Sequence, residues 1–306
     1  MNILVNGEPL DIETKPGATL GEVLAQADDL IEKSGSIIVG LKVDGMEIGA
    51  EDYAQAAARP ADGSASVEIG IESGREVRMR TIGTFLELLG LASRAAESGQ
   101  ASAADWRALR EGAAEIRDAF SGLFSADELS FVKRFSEVLE GSPAPAGDDG
   151  AGAIPSAAAR AAIAEEAGRA SSVFGERLAE LRDPVAEMRS AGTLFDARAK
   201  DLADLPVLLQ TGKEDGAMKT VLYFIEVFNK VIRLIPELRQ AGVDLDAFQI
   251  EGQGLAEFYG AFNGVLRDLT DAFEHKDAVL IGDLAEYEIL PRMRSFFAAM
   301  DGALPA

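Results

Sequence analysis

Apolar positions at the start of the chain recur every second residue. Ile3 and Val5 alternate, Asn6-Gly7 follows, and Leu10 and Ile12 alternate again. A type I′ turn needs positive φ at both central residues, which Asn-Gly tolerates, so this stretch predicts a β-hairpin. Pro16-Gly17 breaks the chain. Thr19 and Glu22 then have capping-box spacing, in which hydroxyl and carboxylate each satisfy an orphan amide. Leu20, Val23, Leu24, Ala27, Leu30 and Ile31 follow at helical spacing, and Ser34-Gly35 ends the predicted helix. Ile37 to Val43 is nearly continuous in apolar character, which predicts a strand near the centre of a sheet. Asp44-Gly45 turns the chain toward Met46 and Ile48, and Val67, Ile69 and Ile71 alternate as a last strand.

From Thr81 the period changes from 2 to 3.6. Phe85, Leu88, Leu89 and Ala92 mark one helix, and Trp106, Leu109, Ala113, Ile116 and Phe120 the next. Ser125 and Glu128 again have capping-box spacing and open a third helix, with Leu129, Val132, Phe135, Val138 and Leu139 on its inner stripe. Residues 141–155 offer almost no bulky apolar side chain, so they read as a flexible linker. Beyond it, 157–181 is an alanine-rich helix, and Asp183-Pro184 supplies an N-cap followed by proline at the first helical position. The segments 193–209, 217–238, 254–273 and 278–300 complete a helical region. Leu205–Ile235 and Leu266–Phe297 share one plan, a helix, a short polar turn and a strongly apolar helix, which favours two hairpins packed as a bundle.

One amphipathic helix covering one face of a small mixed sheet is the simplest arrangement for residues 1–75. Asn6-Gly7, the run from Pro16 to Leu24, and Ile37 through Asp44-Gly45 resemble the β-grasp, or ubiquitin-like, fold of the small sulfur-carrier proteins and related domains. That family works through a free C-terminal glycine pair that is adenylated and thiolated. Here the last predicted strand continues through Ser73-Gly74-Arg75 into more than 200 further residues, so carrier chemistry would need cleavage beside Gly74. The resemblance thus implies a fold and a docking surface rather than an activity.

Composition narrows the chemistry. There is no cysteine, which excludes thiolate zinc sites, disulfides, cysteine nucleophiles and cysteine-ligated clusters. With 29 basic and 52 acidic side chains the net charge is −23. Neutralising phosphates takes lysine and arginine, so nucleic acid and anionic membranes are disfavoured as partners. The apolar fraction of 47% supports a packed core. The run from Val221 to Ile235 is interrupted by Glu226, Asn229, Lys230 and Arg233, so it reads as a core helix and no membrane insertion is expected. The first residues lack a basic region followed by an apolar stretch, so no signal peptide and a cytoplasmic location are expected.

His275 is the only imidazole, in the polar segment Asp271–Asp277, and reads as a solvated helix connection. One histidine cannot furnish a di-iron carboxylate bundle. Gly212-Lys213 has Val207 and Glu214 where a phosphate loop needs glycine and a hydroxyl, and Gly252-Gln253-Gly254 lacks a third glycine. No catalytic, cofactor-binding or metal-ligating residue is therefore assigned, and the chain is read as a non-enzyme with no cofactor. Glu286, Tyr287 and Glu288 are the candidate partner-binding residues. Pro291 removes the amide that would bond the Tyr287 carbonyl, so the helix is expected to open near 287. Glu288 follows Leu284 by four and Ile281 by seven, which places it toward the core, with Arg292 as an ion partner one turn on. The phenylalanines at 224, 228, 258, 262, 296 and 297 form a core stripe, or a helix-docking groove if the bundle is incomplete.

The expected organisation is α+β at the N-terminus and mostly α overall. A β-grasp domain spans 1–75, a helical region 76–140, a linker 141–155 and an α-helical bundle 156–306. The expected function is a non-enzymatic adaptor or scaffold that binds protein partners, its own copies among them. The alternatives are an acidic chaperone for secretion or flagellar subunits, and, less favoured, a carrier or metal-dependent enzyme.

Overall fold

The computed structural model describes residues 1–12, 15, 17–61, 65–141 and 154–305. It is mainly helical, with a small mixed sheet at the N-terminus. Strands β1 (Asn2–Val5) and β2 (Glu8–Pro9) form the predicted hairpin, with φ of 48° at Asn6 and 87° at Gly7. The Asn6 side chain bonds both the N–H and the carbonyl of Ile71 at 3.0 Å, which ties the turn to the strand beside β1. Helix α1 (Leu20–Lys33) opens on the complete Thr19/Glu22 capping box. It is followed by β3 (Ser36–Val43), β4 (Met46–Glu47), α2 (Ala50–Ala57) and β5 (Ser66–Ser73). Asp44 carries φ of 55° in the β3–β4 turn. Its carboxylate accepts from Arg59 at 2.6 Å and from the Ser66 N–H at 3.0 Å, and these donors hold its pKa below the ordinary value.

The strand order is β2-β1-β5-β3-β4, with β1 and β5 parallel. The third strand lies near the centre of the sheet, next to the central one. β5 occupies the centre, and β3 is flanked on its other side only by the two-residue β4. Leu41 and Val43 of β3 pack in one core with α1. Leu20, Val23, Leu24, Ala27 and Ile31 of α1 close the core over Ile3, Leu41, Val43, Val67 and Ile69.

Contacts divide the chain into Met1–Leu178 and Ala179–Ala306. In the first unit, α3 (Gly74–Ser98) starts directly from β5, seven residues before its apolar period becomes evident. It is joined by α4 (Ala103–Phe120), α5 (Ala126–Glu140) and the greater part of α6 (Ala157–Arg182). Phe85, Phe120 and Phe174 meet edge to face at centroid distances of 5.1–5.4 Å, and Phe135 lies 5.8 Å from Phe85. This aromatic cluster joins α6 to the preceding helices, so the division falls within α6 and not at the expected linker. Residues 142–153 of that linker lie outside the described residues.

The second unit contains α7 (Pro184–Ala203), α8 (Leu205–Gln210), α9 (Glu214–Gln240), α10 (Leu255–Glu274), α11 (Ala278–Asp283), a π-helical segment (Leu284–Ile289) and α12 (Leu290–Ala303). A two-strand hairpin, β6 (Gln249–Ile250) and β7 (Gln253–Gly254), precedes α10. Its turn places Glu251 at φ 52° and Gly252 at φ 83°. No helix among the described residues is long and apolar enough to cross a membrane.

Candidate functional site

Helix α9 carries two apolar stripes. Ala217, Val221, Phe224, Phe228, Val231, Leu234 and Leu238 are buried in the core of the second unit. A second stripe of Met218, Leu222, Ile225 and Ile232 lies at i, i+4, i+7 and i+14 and is exposed, Leu222 at 52%, Ile225 at 42% and Ile232 at 45%. A helix apolar on both sides is ordinarily covered on both, so this second stripe is a surface that requires explanation. Two of the charges that interrupt α9 in sequence, Lys230 and Arg233, serve its attachment. Lys230 pairs with Glu187 at 2.6 Å, and Arg233 forks onto Glu180 at 2.9 and 3.2 Å.

Beside the exposed stripe lies a groove of about 280 Å³. Its walls are Phe224, Ile225, Phe228 and Ile232 of α9, Phe262, Leu266 and Leu269 of α10, Ile289 of the π segment and Met293 of α12. Asn229 and Asn263 stand at the same groove, and neither side-chain amide has a hydrogen-bond partner among the described residues. The site therefore combines aromatic and branched apolar walls with two free amides, the chemistry suited to one face of a helix. Of the phenylalanine stripe, Phe258 and Phe296 stack at 5.9 Å within the core, and Phe224, Phe228 and Phe262 belong to the same core while also lining the groove.

The structure separates the three sequence-selected residues. Glu286 and Tyr287 line a shallow hollow with Asp196 and Lys200 of α7 and Arg294 of α12, and Tyr287 is 66% exposed. Glu288 pairs with Arg292 at 2.8 Å, as its spacing predicts. Its expected placement toward the core is corrected. Leu284, Ala285 and Ile289 are the buried positions, while Glu288 is half-buried with its side chain 42% exposed. The π turn is the reason: i→i+5 bonding widens the turn by one residue, so the core position passes from 288 to 289. Pro291, which lacks an amide, lies two residues beyond the segment.

His275 caps α10 in an exposed position, with Nδ1 2.7 Å from the Asp271 carbonyl oxygen. Among the described residues no three histidine, aspartate or glutamate side chains converge as a metal site would require. The groove was only partly foreseen. Sequence periodicity places Phe224 and Phe228 on one face of α9, but Ile225 and Ile232 have the same spacing whether buried or exposed.

The chain is similar to two domain families. Residues 187–298, which include every residue lining the groove, match the family described as Domain of unknown function (DUF8042). Residues 1–73 match the TP0873 N-terminal domain. A protein of Treponema pallidum (strain Nichols), described as an uncharacterized protein, is 27% identical over 112 residues, covering 37% of this chain and 56% of the relative. The chain thus spans just over half the length of that relative. No solved structure matches it.

Proposed function

We propose that the protein is a non-enzymatic adaptor or scaffold that grips protein partners, with the groove beside α9 as a principal contact. The observation that carries this reading is the exposed Leu222–Ile225–Ile232 stripe running along an apolar cleft. An amphipathic helix from a partner would lay its apolar face there, and Asn229 and Asn263 would meet its polar edge. The N-terminal domain is proposed to be a β-grasp domain. Its β2-β1-β5-β3-β4 order, the parallel β1–β5 pair and the single covering helix support that reading. The carrier alternative is less favoured because Gly74 is the first residue of α3 and its N–H bonds the Gly35 carbonyl at 3.0 Å. A cytoplasmic location accords with the absence of cysteine.

The alternative of an acidic chaperone for secretion or flagellar subunits draws on the same groove combined with the net charge of −23, which would attract a basic client helix. In-cell crosslinking with mass spectrometry, followed by purification of the crosslinked species, tests the adaptor reading. The expected result is partner crosslinks near the groove that are lost in the Ile225→Asp/Ile232→Asp variant while its melting temperature is unchanged. A strict monomer that crosslinks to nothing would overturn it. A chaperone would instead keep an aggregation-prone client soluble in proportion to its own concentration.

A further inference from the structure

The sheet of the N-terminal unit has an incomplete edge. β4 pairs only with Lys42 and Val43 of β3, and the Ile48 N–H reaches the Leu41 carbonyl at 2.9 Å. Upstream, among the described residues, no strand pairs with the outer side of Ser36–Gly40. Backbone donors and acceptors on an edge strand template pairing with another chain, and proteins ordinarily block this with charge, proline or a very short strand. The segment Ser36-Ile-Ile-Val-Gly-Leu41 contains neither charge nor proline, and Val39 is 47% exposed.

The edge adjoins a cleft. Residues three apart on a regular strand face opposite sides. The register shift between Ile38 and Gly40 inserts one residue, so Ile38 and Leu41 both line a half-open cleft of about 460 Å³ with Leu24 of α1, Ile48 and Tyr53. The bulge therefore aims two apolar side chains at the place where an added strand would project its own.

Charge selects the occupant. Asp28 lines the cleft, and Glu51 and Asp52 lie in the chain between its lining residues Gly49 and Tyr53. None of the three has an ion pair among the described residues. A second copy of this chain brings a net charge of −23 and is disfavoured by repulsion. We propose that the free edge of β3 and the adjoining cleft bind an extended apolar peptide strand flanked by lysine or arginine, contributed by a different protein. This rests on the adaptor reading and names the partner chemistry of its N-terminal domain. Main-chain bonding supplies affinity, and the cleft selects alternate apolar side chains.

The full chain is titrated into a fluorescent peptide, Lys-Lys-Val-Ile-Val-Ile-Lys-Lys, and anisotropy is read. A glutamate-flanked peptide and one N-methylated at alternate amides are run beside it. The lysine peptide is expected to bind at least tenfold tighter than either. Val39→Lys should weaken it about tenfold, and Asp28→Lys/Asp52→Lys should reverse the preference between the two flanks with an unchanged melting temperature. Equal binding of the N-methylated peptide, or insensitivity to both variants, would overturn the proposal. So would dimerisation that Val39→Lys abolishes, because a second copy would then occupy the edge. Peptide failure with groove-dependent crosslinks intact sinks this proposal and leaves the adaptor reading standing. Peptide binding without any groove-dependent crosslink removes the groove from that reading and leaves the edge.

Discussion

Tyr259 illustrates how a single atom departs from the logic around it. Its ring packs near Phe228 and Phe258 at 6.0 and 6.2 Å, yet its hydroxyl is buried without a hydrogen-bond partner among the described residues. A buried polar group left unpaired costs roughly 1–3 kcal/mol. Tyr259→Phe is therefore expected to stabilise the protein by about 1 kcal/mol in urea denaturation. Burial also raises the phenol's pKa above its ordinary value of 10.0. Below pH 10 the phenol is neutral in both states. Above it the unfolded chain ionises first, so native stability falls as pH rises toward the native pKa. The gain from Tyr259→Phe should widen between pH 8 and pH 10.5, and a constant gap would show that the native hydroxyl reaches solvent. Nothing in the spacing of this tyrosine signals an orphaned hydroxyl, because orphaning depends on what distant helices place beside it.

Among elements, the start of α5 carries the clearest link from sequence to tertiary structure. Ser125 and Glu128 form the predicted capping box, with the carboxylate accepting the Ser125 N–H at 2.9 Å. The same carboxylate is buried and approaches Arg177 of α6 at 3.4 Å and Arg78 of α3 at 3.9 Å. One side chain thus starts a helix and joins three. Glu128→Ala is expected to cost about 3 kcal/mol, because it leaves two guanidinium groups without their buried anion. Glu128→Gln, which retains a capping acceptor, should cost less, and equal losses would show that the cap contributes nothing. The box was legible from two residues three apart, whereas the arginines lie 50 and 49 positions away. The opening near 287 was equally legible from Pro291, since a missing amide acts within one turn. The hairpin at Gln249–Gly254 was not, because its turn begins with glutamate at positive φ, a residue that carries no turn signal.

For the whole molecule the dominant long-range quantity is the net charge of −23. Several ion pairs are solvent-exposed, such as Arg80–Glu72 and Arg117–Glu140, and contribute little each. Self-repulsion among the excess carboxylates opposes compaction and is screened over about 8–10 Å at physiological salt. The melting temperature is therefore expected to rise between 10 and 150 mM salt. A fall over that range would place the greater electrostatic contribution in attractive pairs.

Short-range chemistry determined the helix starts at Thr19 and Ser125, the tight turns at Asn6-Gly7 and Asp44-Gly45, and the widened helical turn ahead of Pro291. Each is settled by atoms within a few residues of one another, so the linear order of the chain contains it. Strand order, the unpaired edge of β3, the attachment of α6 to the first helices and the open groove on α9 were settled by which surfaces meet across long loops. An apolar stripe has the same period whether a neighbour covers it or water does, and that difference is where the proposed binding surfaces arise.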